Sequence, residues 1–252
     1  TKANQLLVIE ESAELEDRTT RPEANFTDAS GKVGPDFVHR ENVHDDFKAQ
    51  PLLPGKLSAF GPCMAWGDVN DDGRIDVFFG GARNQAGELW LNGGQGRFTK
   101  ASEDVLGADS ICEDADACWF DAEGDGDLDL LVASGSVEHL EGDYRLLNRL
   151  YLNQGLAADG VSPRFERAPD SVLADLAFSS GAVAAGDFDR DGDIDLFIGS
   201  RSVPGLYPTT PKSHLLLNES SEGEVRFADA TERLAPGLSE VGLVTDADWM
   251  DA

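Results

Sequence analysis

The sequence predicts an all-β chain of repeated four-stranded antiparallel units, the organisation of a β-propeller. Three observations carry this prediction. An aspartate-rich loop of the form D-x-[D/N/E]-x-D-G-x-x-D occurs three times: Asp68-Val-Asn70-Asp-Asp72-Gly73-Arg74-Ile-Asp76, Asp121-Ala-Glu123-Gly-Asp125-Gly126-Asp127-Leu-Asp129 and Asp187-Phe-Asp189-Arg-Asp191-Gly192-Asp193-Ile-Asp195. A short apolar run follows each copy. The copies begin 53 and 66 residues apart, and more than the loop recurs at that period, as expected of a repeat architecture.

Each unit can be followed in order. An apolar segment leads into the loop: Gly61 to Gly67, Ala117 to Phe120, Gly181 to Gly186. After it come Val77-Phe78-Phe79, Leu130-Leu131-Val132 and Leu196-Phe197-Ile198, runs ended by Gly80, Gly135 and Gly199. Short apolar runs bounded by glycine read as buried strands. Then come Leu89-Trp90-Leu91-Asn92, Leu150-Tyr151-Leu152-Asn153 and Leu215-Leu216-Leu217-Asn218, each followed by a turn and an Arg-Phe pair (Arg97-Phe98, Arg164-Phe165, Arg226-Phe227). Four strands per unit of about 40–65 residues is the pattern of a propeller blade. The blades are expected over about residues 59–105, 113–170 and 178–232, with a further one begun at 240–252. Residues 1–21 read as a linker or the end of a preceding domain. Asn25-Phe26-Thr27-Asp28 repeats the outermost-strand pattern, and Asp251 falls at position 1 of a fourth loop. The chain therefore reads as a piece of a longer polypeptide, since three or four blades would leave sheet edges uncovered.

The loop spacing suits calcium. Ca²⁺ takes six to eight oxygen ligands at about 2.3–2.6 Å. Positions 1, 3 and 5 of a tight loop offer side chains, position 7 a carbonyl and position 9 a carboxylate. The glycine at position 6 permits the sharp turn. Without a cation such a loop is unfavourable, because two carboxylates 5 Å apart repel by roughly 3 kcal/mol at an effective dielectric of 20. An EF-hand is excluded, since it needs a bidentate Glu at position 12 and these loops have Phe79, Val132 and Ile198 there.

The units resemble FG-GAP/VCBS repeats, the calcium-loop blades of the integrin alpha-subunit propeller. The stretch Phe37-Val-His39-Arg-Glu41-Asn42 through Asp46-Phe47, with Gln50-Pro-Leu-Leu-Pro54-Gly-Lys-Leu-Ser58 and Gly67-Asp68, is similar to bacterial VCBS-repeat proteins related to cartilage acidic protein, which often carry an ASPIC/UnbV domain. The resemblance covers about residues 22–252 and implies a ring of roughly seven blades, of which this chain is a fragment. It implies about three Ca²⁺ sites, with side-chain ligands Asp68, Asn70, Asp72 and Asp76; Asp121, Glu123, Asp125 and Asp129; and Asp187, Asp189, Asp191 and Asp195. Carbonyls of Arg74, Asp127 and Asp193 would complete them, and Asp251 would begin a fourth. Glu123 is longer than the usual Asp or Asn, so the second site is expected to be distorted or weaker.

Composition bounds the function. Acidic residues number 48 against 20 Lys and Arg, a formal charge of −28. The three loops supply 14 of the acids, and three bound Ca²⁺ would bring the charge to about −22. That balance argues against nucleic acid, whose binding rests on Lys and Arg contacts to phosphate. No run of 18 apolar residues exists, so no membrane span is expected. Extracellular calcium modules bind at about 10⁻⁴–10⁻³ M, which places such loops outside the cytosol: extracellular, on the cell surface, periplasmic or associated with the outer membrane. Cys112 and Cys118 read either as a bridge before the second loop or as free thiols, and Cys63 reads as an unpaired small residue beside the first. Asn25-Phe-Thr27 and Asn218-Glu-Ser220 are glycosylation sequons in a eukaryotic secretory setting.

The cluster His39, Glu41, His44, Asp45 and Asp46 reads as a solvated turn rather than a transition-metal site. Trp66, Trp119 and Trp249, each two residues before a position-1 Asp, read as blade packing, with Ala185 in the corresponding place of the third unit. Segments 136–149 and 200–212, carrying Tyr144, Arg145, Arg201 and Tyr207, are long connections where partner contacts are expected. There is no G-x-S-x-G, no HExxH and no phosphate-cradling glycine loop. The expected role is a binding or adhesion scaffold with structural calcium and a protein or glycan ligand, within a larger surface assembly. The alternative is the propeller body of a calcium-dependent polysaccharide lyase; a third reading is a spacer with no ligand.

Overall fold

The computed structural model describes residues 28–29, 32–59, 61–174, 176–221 and 223–250. The expected linker, Asn25 to Thr27 and Asp251 lie outside them. Three antiparallel sheets of four strands follow one another in the chain. The first contains β1 (Met64–Gly67), β2 (Asp76–Phe79), β3 (Glu88–Gly94) and β4 (Arg97–Ala101). The second contains β5 (Asp114–Phe120), β6 (Asp129–Ser134), β7 (Arg149–Leu156) and β8 (Pro163–Arg167). The third contains β9 (Ser179–Gly186), β10 (Asp195–Ser202), β11 (His214–Asn218) and β12 (Phe227–Asp229). Within each sheet the strands lie in chain order. The first strands face one another, β1 against β5 and β5 against β9. The chain is thus all-β with propeller-like blades, and the sheets do not close into a ring.

Alternation along the strands explains the core. On β6, Leu131 and Ala133 join a buried cluster with Phe120, Leu150, Val183, Leu196, Ile198 and Phe227. Their neighbours Leu130 and Val132 join the opposite cluster with Ala65, Phe78, Leu89, Ala117 and Tyr151. Successive strand residues point to opposite faces, so the middle sheet is covered on both sides. This is why its second strand is a continuous apolar run rather than an alternating one.

Two of the three tryptophans, Trp119 and Trp249, pack against the end of the preceding blade's first strand. A Cβ placed on Gly67 would lie 3.1 Å from the Trp119 ring, and one on Gly186 would lie 2.7 Å from Trp249. Where the earlier blade carries a large residue instead, Phe120, the next blade carries Ala185, which packs against the same cluster. A large ring meets a glycine in two places, Gly67 with Trp119 and Gly186 with Trp249. Trp66 is 57% exposed. Residues 242–250 form no ladder with the third sheet, although the Val244 N–H donates to the Ser200 carbonyl at 2.9 Å.

One open alternative is decided and one expectation is corrected in part. All three cysteines are free. Cys112 precedes β5 and Cys118 lies within it; a strand rises about 3.3 Å per residue, which carries residues six apart beyond the span of about 7 Å that a disulfide bridges. Within the acidic and histidine cluster Glu41 and Asp45 are exposed, but Asp46 is not solvated. Asp46 is 1% exposed and accepts from Leu57 N (2.5 Å), Ser58 N (3.0 Å) and Ser58 Oγ (2.5 Å). Residues 38–58 form a strap along the β2–β3, β6–β7 and β10–β11 connections. Gln85 binds Arg40 N and the Val38 carbonyl (2.7 and 2.9 Å), Asn42 Nδ2 donates to Glu138 (2.6 Å), and Gln50 accepts from Tyr207 N (3.0 Å). Part of the surface where partner contacts were expected is therefore covered by the chain itself.

Candidate metal-binding loops

All three loops close the hairpin between the first and second strands of a blade. The residue before position 1 pairs with position 9: Gly67 with Asp76, Phe120 with Asp129, Gly186 with Asp195. Each loop is tightened from within by its position-1 carboxylate. Asp68 accepts from Asp72 N (3.0 Å) and Gly73 N (2.7 Å). Asp121 accepts from Gly124 N (2.7 Å), Asp125 N (3.2 Å) and Gly126 N (2.9 Å). Asp187 accepts from Gly192 N (3.2 Å). Position 5 then accepts from the N–H of position 7: Asp72 from Arg74 (2.9 Å), Asp125 from Asp127 (2.9 Å), Asp191 from Asp193 (3.0 Å). The position-6 glycines have φ of +82°, +96° and +104°, a region that an L side chain enters only with strain.

Position 9 is buried in every copy: Asp76 and Asp129 at 0% exposure and Asp195 at 1%. One carboxylate oxygen accepts from the N–H of position 2, namely Val69 (3.2 Å), Ala122 (2.8 Å) and Phe188 (2.8 Å). The other accepts from the N–H of the asparagine ending the Leu-x-Leu-Asn motif: Asn92 (2.7 Å), Asn153 (2.7 Å) and Asn218 (2.8 Å). Two N–H donors per carboxylate make position 9 a brace between the loop and the third strand.

The acids strain against one another in this arrangement. Burial pushes the Asp129 carboxyl up to about 7, with Glu123 and Asp125 adding to the rise and two N–H bonds opposing it. Asp76 is raised by burial and further by Asp72 and Asp68. Glu123 and Asp127 are raised by loss of hydration and then by neighbouring carboxylates. Asp189 is raised in the same way, with Asp191 and Asp195 as its neighbours. Like charges held together favour the neutral forms, and a divalent cation reverses that preference.

The donor sets can be tested for fit. In the third loop, oxygens of Asp187, Asp189 and Asp195 lie within 4.8 Å of one another, hard carboxylate ligands suited to a calcium-sized ion. In the first loop, Asn70 at position 3 is 8% exposed. Its Nδ2 donates to the Val161 carbonyl at 3.0 Å, and its Oδ1 is buried without a partner. An orphaned buried acceptor is costly, and a cation would satisfy it. The Arg74 guanidinium is paired with Asp72 and donates from Nε to the Asn92 carbonyl at 2.6 Å, so it competes with a cation for position 5. In the second loop Glu123 is half-buried and lies among the acids that raise its own pKa.

The other singled-out residues do not join these loops. Tyr144 is 63% exposed with the Arg145 guanidinium over its ring at 5.5 Å, and Arg145 is held by Asp143 at 2.6 Å. Arg201, in β10, lies against Gly181 of β9. His39 pairs with Glu41 at 2.8 Å and His44 lies 3.5 Å from Glu138. The strand-three asparagines were visible as a repeated motif, but nothing local in the sequence shows that they reach the loops.

Blades of this wiring define a repeat protein built on acidic strand-connecting loops. A model of the FG-GAP-like repeat matches residues 68–132 and 121–198. Each match begins on position 1 of a loop and ends in the apolar strand after the next one. Together they take in just over half of the chain, which belongs to the FG-GAP-like repeat family. No curated protein matches the chain.

Proposed function

We propose that the chain is a calcium-stabilised propeller module that acts as a binding scaffold outside the cytosol. The carrying observation is the wiring of positions 5 and 9 that three acidic loops share, with the convergent oxygens of Asp187, Asp189 and Asp195 and the unpartnered Asn70 Oδ1 as its sharpest points. Calcium is structural in this reading: it offsets carboxylate repulsion and fixes the hairpin that opens each blade. Side chains at positions 1, 3, 5 and 9 and the carbonyl at position 7 hold it. The extracellular or cell-surface setting follows from the weak affinity typical of such modules outside cells. A protein or glycan ligand would meet the connections that the strap leaves open, around Tyr144 and Leu206, which are 63% and 59% exposed.

The test is bound-metal content with thermal melting, in millimolar calcium and after chelation. About three ions per chain and a melting temperature that falls on chelation are expected. No bound calcium with an unchanged melt would overturn the reading, leaving the loops as solvated hairpins.

A further inference from the structure

The three loops are joined to one another by hydrogen bonds. Asn153 Nδ2, on the third strand of the second blade, donates to the carbonyl of Val69 in the first loop at 3.0 Å. Asn218 Nδ2, on the third strand of the third blade, donates to the carbonyl of Ala122 in the second loop at 3.0 Å. Each also reaches the position-8 carbonyl of its own loop, Leu128 at 3.4 Å and Ile194 at 3.2 Å. Both asparagines are buried, at 3% and 7% exposure. Their amide geometry is fixed from the other end, since Asn153 Oδ1 accepts from Gly155 N (3.1 Å) and Asn218 Oδ1 from Ser220 N (3.0 Å).

Together with the position-9 bonds these contacts form one continuous path. Val69 donates its N–H to Asp76, and its carbonyl accepts from Asn153. The Asn153 N–H binds Asp129, which holds the Ala122 N–H. The Ala122 carbonyl accepts from Asn218, whose N–H binds Asp195, which holds the Phe188 N–H. Position 2 of one loop is therefore clamped on its N–H side by its own blade and on its carbonyl side by the next.

We propose that Asn153 and Asn218 are positioning residues that couple cation binding between adjacent loops. This inference rests on the calcium reading above. A loop without its ion is held loosely against carboxylate repulsion. An ion in the second loop fixes Asp129, hence the Asn153 backbone, hence the donor presented to Val69. Part of the ordering that an ion in the first loop must impose is then already done. Such prepaid ordering is positive coupling, and it is reciprocal. Asn92 is the internal control: its Nδ2 donates to Ile75 of its own loop at 3.0 Å.

The experiment follows amide hydrogen exchange of each loop in the full chain as CaCl₂ is titrated. In the unaltered chain the three loops are expected to gain protection over a shared, steep concentration range. Asp125→Asn, an exposed change that removes one ligand charge and so weakens cation binding in the second loop, should raise the midpoints of the first and third loops about fivefold or more. Asn153→Ala should raise the first-loop midpoint and remove its response to Asp125→Asn, whereas Asn92→Ala should leave that response intact. Loops that bind calcium but keep their midpoints in Asp125→Asn would overturn the coupling while leaving the calcium reading in place. No protection of any loop by calcium would overturn both. Because Asp125→Asn alters no buried group, the test stands even where Asn153→Ala fails to fold.

Discussion

Glu113 shows how a single buried carboxyl is placed at a cost where the strap meets the blades. It lies at the entry to β5, is 5% exposed, and accepts from Arg83 N at 2.8 Å, while its Oε1 has no partner. Burial pushes its carboxyl up to about 8, and the charges of Glu41 on the strap, Glu138 after β6 and adjacent Asp114 push in the same direction. The folded chain thus binds a proton at Glu113 more tightly than the unfolded chain does. The resulting cost is absent below the ordinary glutamate value of 4.5, grows as the pH rises, and is complete above about 8. Glu113→Gln cannot ionise. It should match the parent in acid and exceed its stability by about 1 kcal/mol or more at pH 9. Denaturant unfolding at pH 5 and pH 9 measures this, and an equal difference at both values would show that Glu113 does not carry the effect.

At the scale of the element, the blade junction follows a rule of complementary volume. Gly67 leaves room for Trp119, and Gly186 for Trp249. Trp119 also stacks at a tilt on Phe165, with ring centroids 5.9 Å apart. Trp119→Ala should therefore open a gap between the first and second blades and cost about 2–3 kcal/mol, below the range for a fully buried aromatic because the ring is only half-buried. Chemical denaturation gives the value, and a loss under about 0.5 kcal/mol would show that the ring is not a blade contact. Much of this level was legible in the sequence. Strands were marked by apolar runs ending at Gly80, Gly135 and Gly199, and loops by the fixed spacing from position 1 to position 9. The strap was not legible, because its bonds are long-range: Asn42 to Glu138 and Gln50 to Tyr207 leave no periodicity within a local window. The bridging role of Asn153 and Asn218 was hidden for the same reason, since each meets a loop in the preceding blade.

At the scale of the whole molecule, charge governs the difference between the ion-free and ion-bound states. The chain carries a formal charge of −28, and 14 of its acids are concentrated in three loops at one end of the blades. Self-repulsion of that kind destabilises a compact state, and mobile ions screen it over about 10 Å at 0.1 M and about 3 Å at 1 M. The carboxylates within a loop lie well inside these distances, as with the oxygens of Asp187, Asp189 and Asp195 within 4.8 Å, so salt relieves them less well than a bound cation does. Raising NaCl from about 0.02 M to 0.5 M should raise the melting temperature of the chelated chain, and should raise that of the calcium-loaded chain by a smaller amount. The remaining gap between the two forms at high salt would measure what calcium supplies by direct ligation rather than by neutralisation. If salt alone brought the chelated chain to the calcium-loaded melting temperature, calcium would act only as a diffuse counter-ion and the loops would not be built sites.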